Sequence, residues 1–480
     1  MRTIRAVLSP RSCNCAPPGG GRRQFSPRHD RLCAPLAFCG AVLFSVALPG
    51  RAGEPQPTTP GASLVASPEP GWPQWRGKRR DGVCDETGLL QQWPAEGPKL
   101  LWKKAGLGRG YSAPIVTGGR IYITGDVGDE LRVFALDLQG EIVWQAKNGR
   151  AWKGPTPGAR ASCAFSAGRL YHLNAHGRVA CLEAATGSEL WACEALERFG
   201  GKNITWGLSE NLLVDGDHVI VTPGGAKALL AALDKNSGAT VWSTEPLRLG
   251  KSDSPAQQRL AAPAGESDSA SYASPILFTL GGRRHIVNCS LRHIFGVDAE
   301  TGQLLWTRPL PTRYLVIAAT PVLVGDAVFC TAPDQNDGGL YRLRIEDRSV
   351  GVEKLWSAPI DTGQGGLVYA DGMLYGAWYR RDKQWGSVDA RTGEARCLAK
   401  DLALGPVLYA DGRLYCLSQQ GEMALVKPTP AAFEYAGRFR LVSERTTDAW
   451  AHPAILDGRL YLRYHDTLFC YDVRASPRAP

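Results

Sequence analysis

The sequence predicts an all-β chain closed into a ring: an eight-bladed β-propeller of four-stranded blades, with seven blades as the fallback. Three observations lead there. One four-strand unit recurs along residues 72–473, tryptophans end successive units at blade-length intervals, and the two ends of that region carry complementary fractions of a unit.

The shortest copy, Ser162–Trp191, shows the grammar. Four short runs of period-two alternation are separated by three turns, and a tryptophan ends the last. The units open at Ser112-Ala-Pro-Ile, Ser162-Cys-Ala-Phe, Glu210-Asn-Leu-Leu, Ser274-Pro-Ile-Leu, Thr320-Pro-Val-Leu, Gly366-Leu-Val-Tyr, Gly405-Pro-Val-Leu and His452-Pro-Ala-Ile. Third strands end in Ala135-Leu-Asp137, Cys181-Leu-Glu183, Ala232-Leu-Asp234, Val297-Asp298 and Val388-Asp389. Turns follow at Gln139-Gly140, Thr186-Gly187, Ser237-Gly238, Thr301-Gly302 and Thr392-Gly393. Glycine supplies the positive φ of a tight hairpin, and the preceding Asp accepts hydrogen bonds from the turn amides.

Trp102, Trp144, Trp191, Trp242, Trp306 and Trp356 end the outer strands, spaced by 42, 47, 51, 64 and 50 residues. Cys397 and the Phe439 region are degenerate copies. Each interval suits one blade plus variable loops. A ring of that size at the outer strand covers the seam to the next blade. Lys99–Lys103, with Trp102, is an outer strand with no inner three before it, whereas His452–Val473 supplies three strands and no fourth. The N-terminal strand is therefore expected to complete the last blade and close the ring, removing two exposed sheet edges.

Residues 1–53 read as a signal or leader segment. A basic, Pro/Gly-rich stretch precedes the 13-residue apolar run Leu36–Leu48 and small residues after it, too short to span a bilayer. Cys39 follows Phe38, where a lipidation site calls for a small residue. The expected location is the periplasm or cell envelope, with no transmembrane segment in the mature chain. Residues 54–70 are Pro/Ser/Thr-rich and read as a tether. Residues 71–476 form the propeller, and Gly71-Trp-Pro-Gln-Trp-Arg-Gly77 is expected to pack across one of its faces.

The first 55 residues hold eight Arg against two acids, so the rest carries 9 − 6 = +3, no footprint for nucleic acid. Nine cysteines remain after the leader without a Cys-x-x-Cys pair. They read as small buried hydrophobes, at least one of them a free thiol.

The repeated Ala-Leu-Asp-x-x-x-Gly-x-x-x-Trp resembles the tryptophan-docking repeats of the pyrroloquinoline-quinone (PQQ)-like propellers. That superfamily includes quinoprotein alcohol dehydrogenases and the assembly lipoprotein BamB. Trp72-Pro-Gln-Trp-Arg-Gly, Trp206-Gly-Leu-Ser-Glu and Thr222-Pro-Gly-Gly resemble a secreted, planctomycete-type subgroup. The Gly-His and Trp-Asp pairs of WD40 repeats do not recur.

Loops that enter the inner strands share a rim with those joining second and third strands. The long insertions fall on this rim, which makes the loop-rich mouth the expected site. Candidates there are Arg109, Tyr111, Arg160, Lys202 and Asn203, with Trp206, Glu210, Tyr272, Trp450 and His452. Cations and flat rings around a concave rim suit a planar or polyhydroxylated anionic ligand. The expectation is a monomeric binding or scaffold module for a partner protein or such a ligand, with no cofactor and no metal. The alternative is a PQQ-dependent alcohol dehydrogenase with a divergent site. The resemblance would then imply PQQ held under adjacent cysteines and over a tryptophan, with calcium on Glu and Asn and an Asp base. The sequence has no adjacent Cys-Cys pair. Asp334-Gln-Asn-Asp337 offers oxygen ligands without the rest of an EF-hand loop. Gly-x-Ser-x-Gly, His-Glu-x-x-His and P-loop motifs are absent.

Overall fold

Each repeat folds as a hairpin-connected sheet because its turns reverse the chain every few residues, with its inner strands largely buried and its outermost strand largely exposed. The computed structural model describes residues 61–249, 265–333, 338–346, 349–358, 360–379, 383–429 and 432–475. Blade 1 is Ile115–Thr117, Arg120–Val127, Glu130–Leu136 and Ile142–Arg150. Blade 2 is Ala164–Ser166, Arg169–Leu173, Arg178–Glu183 and Glu189–Glu194. Blade 3 is Leu213–Asp215, His218–Val221, Ala231–Asp234 and Thr240–Ser243, and blade 4 is Ile276–Leu280, Arg283–Cys289, His293–Asp298 and Leu304–Pro309. Blade 5 is Val322–Val324, Ala327–Cys330, Gly338–Glu346 and Ser349–Ala358, and blade 6 is Leu367–Ala370, Met373–Ala377, Trp385–Asp389 and Ala395–Ala399. Blade 7 is Val407–Ala410, Arg413–Leu417, Glu422–Pro428 and Phe433–Arg440. In blade 8, Ala454–Leu456, Arg459–Tyr464 and Thr467–Asp472 are joined by Lys99–Lys104, antiparallel to the last, with Leu100 opposite Tyr471. The ring has eight blades and closes as the register of its ends implied.

Two short strands were not anticipated. Ser63–Leu64, inside the stretch read as a tether, pairs with Thr279 and Phe278 of blade 4. Leu64 packs on the apolar cluster there, which a Pro/Ser/Thr-rich composition does not reveal. Val83–Cys84 runs parallel to Tyr409 and Ala410 of blade 7.

The core lies between blades. Ile115, Tyr122, Val133 and Ala135 of blade 1, for example, meet Cys163, Leu170, Ala180 and Leu182 at the next seam. Burying each large side chain contributes about 1.5–3 kcal/mol. All nine described cysteines are buried free thiols, and burial pushes Cys84 and Cys163 up to about 12.

The outer seams share one device. In blade 2, Cys181 faces Trp191 but Leu182 faces Glu189, so Leu190 is bulged out just before the tryptophan. Every blade has such a slip in its outermost pairing. The bulge re-aims the next side chain, and the Trp ring lies on the turn glycine of the following blade. A Cβ on Gly187 would stand 2.6 Å from Trp144, and one on Gly238 2.6 Å from Trp191. The indole N–H of Trp102, Trp144, Trp191 and Trp356 donates to a carbonyl of that blade at 2.9–3.1 Å. The indole N–H groups of Trp242 and Trp306 are buried without a partner. The Asp residues before the turns behave as expected: Asp137 and Asp234 accept from turn amides at 2.8–3.0 Å.

Around the channel the opening residues of blades 1 to 5 form an arc of hydrogen bonds. Ala113 N–H donates to Ser162 Oγ, Ser162 N–H to Asn211 Oδ1, Asn211 N–H to Ser274 Oγ and Ser274 N–H to Thr320 Oγ1, at 2.7–3.2 Å. Blades 1 to 5 are thereby latched in sequence. Arg463, fully buried, joins blade 8 to blade 1 by donating to Ser112 Oγ and to the carbonyls of Ser112 and Gly108.

Candidate functional site

Residues 72–84 enter the channel and bind its inner strands one after another. Trp72 exchanges backbone hydrogen bonds with Val116 of blade 1, and the Pro73 carbonyl accepts from Phe165 of blade 2. Arg80 donates to the carbonyls of Asn211 and Leu212 at the head of blade 3 and of Pro275 at the head of blade 4. Arg76 donates to the Leu367 carbonyl of blade 6. Both arginines hold left-handed φ values of 62° and 60°, sustained by these bonds. Burial lowers them to about 10 and about 9. The stretch expected to lie across a face is instead a plug.

Trp75, the apex of the plug, lines a cavity of about 310 Å³ in the mouth of the ring. Its walls come from the loops that enter blades 1 to 6 and blade 8. Six candidates meet there: Tyr111, Arg160, Trp206, Tyr272, Trp450 and His452. Their rings are not parallel. Trp206 and Tyr272 are 5.9 Å apart at 69°, Tyr111 and Trp450 5.1 Å at 34°, and Trp75 and His452 5.1 Å at 76°.

The charge expected at the mouth is largely spent inside the protein. Arg160 donates to the carbonyls of Trp206, Gly158, Pro155 and Thr156, so its guanidinium ties two loops together. His452 is buried, and desolvation with Arg76 nearby lowers it to about 3, leaving it neutral at physiological pH. Its Nε2 lies 3.1 Å from the Gln364 carbonyl, so Nε2 carries the proton and donates. Nδ1 is then an acceptor, and it has no partner. Gln364 Nε2 and Trp450 Nε1, on two other lining side chains, are also buried without partners.

Four candidates lie elsewhere. Arg109 borders a separate groove beside Asp126 and Lys153, where its backbone pairs with that of Asp126. Lys202 and Asn203 are exposed, and the Asn203 amide holds the Ala175 carbonyl. Glu210 is buried and does not line the cavity; it accepts from Thr222 N–H at 2.8 Å and from Thr222 Oγ1 at 2.6 Å. Asp334, Asn336 and Asp337 fall outside the described residues.

Sequence reasoning missed Trp75, Asn211, Ser274, Gln364 and Tyr379. Asn211 and Ser274 stood in the repeated opening positions, and a polar residue recurring where an apolar strand begins was the available signal.

Burial raises the Glu210 carboxyl from its ordinary 4.5 to about 7, with the Thr222 bonds pulling the other way. The folded state thus holds this proton more tightly than the unfolded chain. The stability this confers is complete below 4.5 and is lost as pH rises to about 7. Glu210→Gln is expected to shrink the fall in melting temperature between about pH 5 and about pH 8. An unchanged fall would mean that Glu210 does not titrate in this range.

The fold and site can be set beside known proteins. The PQQ-like repeat family described as "Outer membrane protein assembly factor BamB" matches residues 79–150 and 129–396. The chain belongs to this family. No curated protein matches it. Among solved structures it is similar to the quinohemoprotein alcohol dehydrogenase of Comamonas testosteroni, at 14% identity and a TM-score of 0.59, covering 86% of this chain and 82% of that one. It is also similar to BamB of Moraxella catarrhalis, at 14% identity and a TM-score of 0.53, covering 79% and 99%. The quinohemoprotein alcohol dehydrogenase ADHIIG of Pseudomonas putida HK5 gives 14% and 0.58, covering 85% and 81%. Such identities speak for a shared propeller fold.

A calcium–quinone centre needs carboxylate and amide oxygens around the metal and cations for the quinone's acids. Among the described residues, no Asp or Glu lines the cavity of this BamB-like propeller, and its one arginine is committed to backbone carbonyls. These residues do not fit that group. Nor is any described helix long and apolar enough to cross a membrane.

Proposed function

We propose that this chain is an exported, non-catalytic binding module of the cell envelope, which holds a small ligand or one side-chain-sized part of a partner protein in the mouth cavity. The observation that carries the reading is the aromatic cavity over the plug, whose lining holds no carboxylate among the described residues. Its volume is at the lower end of the about 300–1,000 Å³ range of small-molecule sites. The leader-like N-terminus and the family description support export to the envelope.

A thermal-shift screen of small molecules and short peptides tests it. A ligand at about 100 times its Kd is expected to add about 2.7 kcal/mol of stability to the wild type. The gain should vanish in Trp206→Ala. In parallel, protein supplied with PQQ and Ca²⁺ should show no dye-linked alcohol oxidation. Turnover that disappears with Trp75→Ala would overturn the binding-module reading in favour of a quinoprotein dehydrogenase.

A further inference from the structure

What the mouth cavity offers an occupant is ring and hydrocarbon surface. Tyr111, Trp206, Tyr272, Tyr379 and Trp450 stand half-buried on its lining, with Val316 and Ala318 half-buried beside them. Much of the polar lining is turned to protein instead. Asn211 Nδ2 donates to Ser274 Oγ at 3.0 Å, and its Oδ1 accepts from Ser162 N–H at 2.7 Å. Ser209 Oγ donates to the Tyr272 carbonyl at 3.1 Å, and the Tyr111 and Thr447 hydroxyls bond at 3.1 Å. The unpaired nitrogens of His452, Gln364 and Trp450 are shielded by protein, so none is presented to an occupant.

A charged occupant is poorly served. Moving an ion out of water is costly unless a counter-charge meets it. Among the described residues no Asp or Glu lines the cavity, so a cation finds no partner there. The Arg160 guanidinium is already met by four backbone carbonyls, so an anion approaches a charge that oxygen dipoles surround. An uncharged apolar group carries no such cost, and aromatic walls favour a ring. Size sets the scale. A dry apolar cavity of about 150 Å³ holds one benzene, so about 310 Å³ has room for about two rings.

We propose that the mouth cavity takes an uncharged aromatic group of about two fused rings, from a free molecule or a partner's side chain, held by burial against the half-buried aromatic lining rather than by ion pairs. The inference rests on the binding-module reading and names the ligand class for that site.

Fluorescence titration of the full chain with N-phenyl-1-naphthylamine, a neutral probe, tests it. The probe is expected to bind with a Kd of about 100 μM or tighter. Three competitors share one indole ring and differ in charge: neutral N-acetyltryptophanamide, anionic N-acetyltryptophan and cationic tryptophanamide. The neutral one should displace the probe at concentrations about tenfold lower than either ion. Stronger displacement by a capped Gly-Trp-Gly peptide than by 2-naphthol assigns the ring to a partner's side chain, and the reverse order assigns it to a free molecule. Trp206→Ala should weaken the neutral ligands about tenfold. Val316→Lys, a charge set on the same lining without removing a ring, should move the preference about tenfold toward the anion. Equal or stronger displacement by either ion, lost in Trp206→Ala, would overturn the apolar assignment while leaving the cavity a binding site. Probe binding that survives both substitutions unchanged, or no binding at all, overturns the assignment. A hit in the thermal-shift screen that is lost in Trp206→Ala would still keep the module.

Discussion

Replacing Lys99–Lys104 by a Gly/Ser stretch of equal length is expected to lower stability by about 5 kcal/mol or more. The strand closes blade 8 along its pairing with Leu468–Asp472. It also carries Trp102, whose ring lies on Gly140 of blade 1 and whose N–H holds the Leu138 carbonyl. Losing an aromatic face of about 150–250 Å² costs about 4–6 kcal/mol at about 25 cal/mol per Å², less the share of Trp102 already exposed. The lost ladder adds to this, and the bared edge of Thr467–Asp472 is a template for a second chain. Scanning calorimetry should show the drop, and light scattering should show association. Replacing Ser63–Leu64 by Gly-Gly, a two-residue strand on the inner side of blade 4, is expected to cost about 1 kcal/mol. Equal losses for the two variants would refute closure by the N-terminal strand.

The second large effect isolates the tryptophan seam. Gly187→Ala is expected to cost about 3 kcal/mol and Gly168→Ala about 1 kcal/mol. The backbones match, with φ of 77° and 76°, so the conformational penalty is common to both. They differ in surroundings. A Cβ at 187 meets Trp144 at 2.6 Å, and one at 168 meets nothing within 4 Å. Pairing Gly187→Ala with Trp144→Ala should recover part of the loss, since the clash goes with the ring. Urea midpoints measure all three. If the two glycine variants were equally stable, the ring of Trp144 would not be held against that turn.

These two experiments address features that differ in how legible they were. Trp102 and the orphan strand around it could be assigned to blade 8 because strand counting is arithmetic on a repeat. The stacking of each Trp on the next blade's glycine could not. Thr186-Gly187 looks complete as a hairpin turn, and the second demand on that glycine comes from a residue 43 positions earlier, Trp144, brought there by ring geometry. The bulge before each tryptophan was hidden for a related reason. Period-two reading presumes one residue opposite one, and a slip such as that at Leu190 changes the register without changing the composition.

The site divides in the same way. Large aromatic residues on long loops, such as Tyr111, Trp206, Tyr272 and Trp450, were recognisable because a loop that need not pack has few other reasons to carry them. Glu210 and Arg160 looked equally functional in one dimension. Whether a charged group faces a cavity or a ring of backbone carbonyls depends on where the chain's other carbonyls end, and here Arg160 meets four of them. Trp75 was set aside as packing because nothing local says that its segment enters the channel.

By itself the sequence determined the order of the blades and the way the ring closes, and favoured eight blades over seven, because a repeated strand-and-turn pattern encodes these locally and each copy repeats the message. Only the tertiary structure decided that residues 72–84 plug the channel, that Arg160 is satisfied by backbone carbonyls, and that Trp75 and Gln364 share one cavity with Trp206, Trp450 and His452. Those outcomes depend on hydrogen-bond partners hundreds of residues apart, such as Arg76 and Leu367, and no window along the chain contains both.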